Sequence, residues 1–157
     1  MDKDFDEYAE KLSEFVDGLI VRCNKVWFAR YDYHRDLFWF IGSIKAGLYG
    51  LLFLIDGARK EYCDNATNPF DALLKKFSRY DPSKNEAVRE KEICGSLPHL
   101  EAIKTFLITS VEKRKTPTMA ELEQFLDGWR KEGMTGFGSI DLVYILNGGK
   151  DQMVDNK

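Results

Sequence analysis

Apolar positions recur every three or four residues along most of this chain, the period of an amphipathic helix rather than of a strand. Phe5, Tyr8, Leu12, Phe15, Val16, Leu19, Cys23 and Trp27 fall on one face of a first helix. Acids crowd its start, and Arg22, Lys25 and Arg30 stand toward its end, as the helix dipole favours. Residues 31–36 turn the chain into a second long helix, expected to run to about Cys63. Here the polar half of the pattern almost disappears. Residues 37–58 read LFWFIGSIKAGLYGLLFLIDGA, interrupted by Lys45 near the middle.

Further along, the amphipathic pattern returns in shorter pieces. Residues 64–68 read as a loop, with Asn68 as N-cap and Pro69 at the first position of a third helix reaching about Tyr80. That helix turns Phe70, Leu73, Leu74 and Phe77 inward. Ser83-x-x-Glu86 has the form of a capping box for a short charged helix ending near Gly95. Ser96 is placed to cap the next, with Leu97, Leu100, Ile103, Phe106, Leu107 and Val111 as its stripe. Thr118-x-x-Glu121 opens another, with Leu122, Phe125, Leu126 and Trp129 inward and Gly133 as the stop. Segment 139–147 suits strand or helix by composition; a single strand has no partner, so helix is assigned. The expectation is an all-α, single-domain helical bundle over residues 1–149, with five to seven helices and residues 150–157 as a disordered tail. Its first two helices form a long antiparallel hairpin.

Residues 37–55 are long enough to cross a bilayer at about 1.5 Å per residue. Gly42, Ala46 and Gly50, four apart, form the small-residue spacing that lets two helices approach closely. Lys45 opposes a span, because a central lysine costs roughly 2.5–3.5 kcal/mol on insertion scales. The stretch is therefore read as a buried packing helix, with a single-pass anchor through 37–58 as the alternative. His34, Lys45 and Asp56 are each eleven residues apart, which rotates a helix by about 20° beyond three turns and aligns them in one polar stripe. The plainer account of that stripe is a solvent-facing edge.

Net charge is −3, which argues against broad, charge-driven nucleic-acid binding. Residues 1–20 carry seven acids and two lysines, so the acidity is concentrated in the first helix. Asp6, Glu10, Glu14 and Asp17 are the candidate residues for steering a basic partner, beside Gly42, Ala46 and Gly50 for close contact. The short basic clusters 75–79 and 113–115 read as solvated helix ends. Three cysteines, odd in number and widely spaced, point to a reducing compartment. The N-terminus has no basic, then apolar, leader pattern, and cytoplasmic residence is expected.

No catalytic constellation emerges. Two histidines and scattered cysteines predict no metal site, and no cofactor is expected. Gly133-x-x-Gly136-x-Gly138 lacks the lysine of a phosphate loop. Residues 118–146 have the length of a helix–turn–helix, but their second helix is too apolar to read a groove. The nearest enzymatic idea is a small helical ribonuclease using His34 and Arg30 for acid–base cleavage. Their separation misses the wider arginine–histidine spacing of HEPN-class ribonucleases. The leading expectation is a non-catalytic protein-binding or regulatory module, a homodimer or a subunit of a larger assembly.

Overall fold

The computed structural model describes residues 3–30, 35–64, 68–91 and 95–131. Among them are six α-helices: α1 (Lys3–Arg30), α2 (Arg35–Asp64), α3 (Pro69–Arg79), α4 (Glu86–Lys91), α5 (Ser96–Glu112) and α6 (Met119–Lys131), with a 3-10 turn at Pro82–Lys84. The chain is an all-α helical bundle, as the periodicity predicted. The assignments for segments 139–147 and 150–157 fall outside the described residues.

α1 and α2 run antiparallel. Asp6 near the start of α1 accepts a charge-assisted hydrogen bond from Arg59 near the end of α2, at 2.9 Å. Both side chains are substantially exposed, so this pair aligns the hairpin more than it stabilises it. The stabilising contact is the apolar seam beneath, where Phe5, Leu12, Val16 and Leu19 of α1 are buried with Ile41, Leu48, Leu51 and Ile55 of α2. Phe70 at the start of α3 meets Phe5 edge-on at 5.1 Å and lies beside Tyr8 at 5.6 Å, tying α3 to the N-terminal end of α1. Phe106 of α5 joins Phe15 of α1 to Phe125 of α6.

The helix ends follow local chemistry, with two departures from expectation. Asn68 caps α3 by accepting from Phe70 N, and Pro69 occupies its first position. Thr118 and Glu121 form the reciprocal capping box, which Lys115 reinforces at 3.0 Å from the Glu121 carboxylate. The box expected from Ser83 and Glu86 does not form. Asp81 instead takes both Ser83 N and Ser83 Oγ, and Asn85 caps α4 by accepting from Ala87 N. Ser96 is likewise not a cap: left-handed Gly95 (φ 81°) holds that position, leaving the Ser96 hydroxyl to bond with Ser43 of α2.

α2 is the spine and touches α1, α3, α4 and α5. Residues Phe38–Glu61 are long and apolar enough to span a membrane, and half of their most apolar window is buried inside the bundle.

Candidate partner-binding surface

α2 meets its neighbours through three sides and leaves the fourth open. Tyr49 and Phe53, one turn apart, are 45% and 74% exposed. Asp56 continues the same face and is exposed, and Lys45 begins it, half-buried beside Cys23 at the edge of the α1 seam. The polar stripe expected from the eleven-residue spacing is therefore outward at Asp56 and half-buried at Lys45, with two aromatic rings between them. His34 lies outside the described residues, and with it the pair expected with Arg30. An aromatic ring in water forgoes roughly 1.5–3 kcal/mol of burial. Two on successive turns of one helix are a feature that a contact surface accounts for.

The small-residue edge adjoins this face and is covered from within the chain. Gly42 is covered by Lys91 and Gly50 by Tyr80, while the Ala46 carbonyl accepts from Asn85. The Tyr80 hydroxyl donates to the Gly47 carbonyl at 3.0 Å, and Leu100 packs over Gly47 from α5. Missing side chains expose the α2 backbone to these groups, so the close approach is made within the chain. Among the described residues Gly42, Ala46 and Gly50 are thus met by Lys91, Asn85 and Tyr80 of the same chain. Of the acidic candidates, Asp6 is engaged with Arg59, whereas Glu10, Glu14 and Asp17 are exposed on the outer side of α1.

The remaining polar groups are mostly occupied. A cleft of about 740 Å³ between the end of α2, α3 and the 3-10 turn is lined by Lys75, Lys76, Arg79 and Lys84. Glu61, Asp71 and Asp81 share it, and Lys76 is bound to Glu61 at 2.8 Å. This mixture of signs builds no concentrated anion site. In the basic cluster after α5, Arg114 adopts a left-handed turn (φ 52°) and lies 4.2 Å over the Phe70 ring. Lys115 is held by Glu121. These charges close helix ends and brace α3 and α6. His99 is buried between Phe40 and Trp129, with ring centroids 5.2 and 5.1 Å away. Its Nδ1–H donates to the Gly95 carbonyl. It is a core residue joining α2, α5 and α6. Among the described residues no three His, Cys, Asp or Glu gather as a metal site.

Three buried protons respond to alkali. Burial pushes the Cys23 thiol up to about 12, against a weaker lowering by Lys45. The thiolate is suppressed, as expected of a fully buried cysteine that packs as an apolar side chain. Burial also raises the Tyr80 hydroxyl to about 12 and the Tyr8 hydroxyl further. Each phenol donates to a backbone carbonyl, Tyr80 to Gly47 and Tyr8 to Lys115, bonds that ionisation removes. These folded-state values lie above the unfolded ones, so their stabilisation is complete below about pH 9 and lost as pH rises toward 12. The urea midpoint is expected to be level from pH 7 to 9 and then fall; a midpoint level to pH 12 contradicts this assignment.

The exposed aromatic pair was only half legible in the sequence. Tyr49 lies within the Lys45–Asp56 stripe, but nothing in an almost wholly apolar stretch sets Phe53 apart from Phe40. Comparison with protein-family models, with curated proteins and with solved structures returned no match to this chain.

Proposed function

We propose that this chain is a non-catalytic protein-binding module whose contact surface is the outer face of α2. One observation carries this reading: Phe53 and Tyr49 stand exposed on the helix that otherwise forms the centre of the core. Charged residues frame them, which gives such a surface an apolar centre with a polar rim. Aromatic anchors of this kind supply much of the affinity in protein contacts. The mixed-charge cleft and the buried Cys23 and His99 give no comparable support to a catalytic reading.

The test places a photo-crosslinking phenylalanine analogue at position 53 and irradiates cells producing the protein. Protein adducts are expected from position 53 and not from Thr105, an exposed control on α5. Absence of adducts from position 53, or equal yields from both, counts against the proposed surface.

A further inference from the structure

The outer face of α2 has a charge order that complements itself when reversed. Lys45 lies toward its N-terminal end and Asp56 toward its C-terminal end, and the two share one line along the helix. Eleven residues separate them, about 16.5 Å at a rise of 1.5 Å per residue. Tyr49 and Phe53 fall between them, on either side of the midpoint. In an antiparallel pair of α2 helices related by a two-fold axis through that midpoint, position i of one copy stands level with position 101 − i of the other. Lys45 is then level with Asp56 of the second copy, and Asp56 with its Lys45. Phe53 comes within one residue of the level of the second copy's Tyr49. This is the isologous arrangement that two-fold symmetry requires.

Resting on the protein-binding reading above, we propose that the outer face of α2 docks on the same face of a second copy of this chain. Tyr49 and Phe53 supply the shared apolar centre, and two symmetric Lys45–Asp56 pairs set the antiparallel register. Oppositely charged rims of this kind select orientation and register more than they add affinity. A single helix seam covers less than the roughly 800 Å² per partner of a standard stable interface. The dimer therefore forms in a concentration-dependent way.

Sedimentation velocity from low micromolar to millimolar concentration tests this directly. The wild type is expected to pass from monomer to dimer and no further, because a two-fold contact closes on itself. Lys45→Asp and Asp56→Lys each convert both symmetric pairs into like-charge contacts, so each is expected to weaken association about tenfold or more. The double variant Lys45→Asp/Asp56→Lys restores both pairs and should return to within about threefold of wild type. Phe53→Asp, at an exposed site that leaves the fold intact, should remain monomeric. A wild type that stays monomeric throughout overturns the proposal, as does a dimer that the single reversals leave unchanged or the double variant does not restore. A crosslink from position 53 to a different protein, with a monomeric wild type, would preserve the binding reading and remove self-association.

Discussion

Replacing Gly47 with leucine should lower stability by about 2–3 kcal/mol, a fall in melting temperature of roughly 4–12 °C for a chain of this size. The cause is steric. A Cβ at this position would lie 2.4 and 2.7 Å from the two methyl carbons of Leu100, which is itself fully buried. Those methyls have little room to retreat, because α5 also packs against α1 and α6 through Phe106. Leucine's better helix propensity offsets about 1 kcal/mol of the overpacking. Gly128 of α6 is the control, with no atom within 4 Å of the position its Cβ would take. Gly128→Ala should therefore gain about 0.5–1 kcal/mol. Denaturant midpoints with unchanged slopes would establish both values. Equal effects at the two glycines would show that α5 does not press on α2 as described.

Truncating Phe40 to alanine should cost about 3–5 kcal/mol. Phe40 is fully buried on α2 and stands edge-on to His99, which in turn meets Trp129. Its removal opens a cavity where α2, α5 and α6 converge and leaves the buried imidazole packed on one side by Trp129 only. Phe53→Ala, the same change on the same helix, should remain within about 0.5 kcal/mol of wild type because the ring is 74% exposed. The pair of measurements separates core from surface on one helix. A large loss at Phe53 would mean that the ring is buried by contacts the bundle itself makes, and would remove the basis for the contact surface.

The amphipathic helices were legible because their polar and apolar faces differ. α1, α3, α5 and α6 lie where their periodic residues place them, and Asn68–Pro69 and Thr118-x-x-Glu121 mark their starts as written. Capping was harder to read wherever competent residues lie close together. Asp81, Ser83 and Asn85 can all accept from a free backbone N–H, and the 3-10 turn at Pro82 decides among them. The small residues of α2 were visible as a stripe, but spacing cannot say whether the approaching helix belongs to the same chain. Tyr80, Asn85, Lys91 and Leu100 answer that only after the loops bring them back onto α2.

The class of fold, the antiparallel hairpin and the alignment of Lys45 with Asp56 all follow from the helical period and the lengths between breaks. Which side of α2 is the outside follows instead from packing. A helix that is apolar nearly all round carries no polarity contrast to orient it, so its exposed face is whatever α1, α3, α4 and α5 leave uncovered. That remainder includes Tyr49, Phe53 and Asp56, with Lys45 half-buried at its edge.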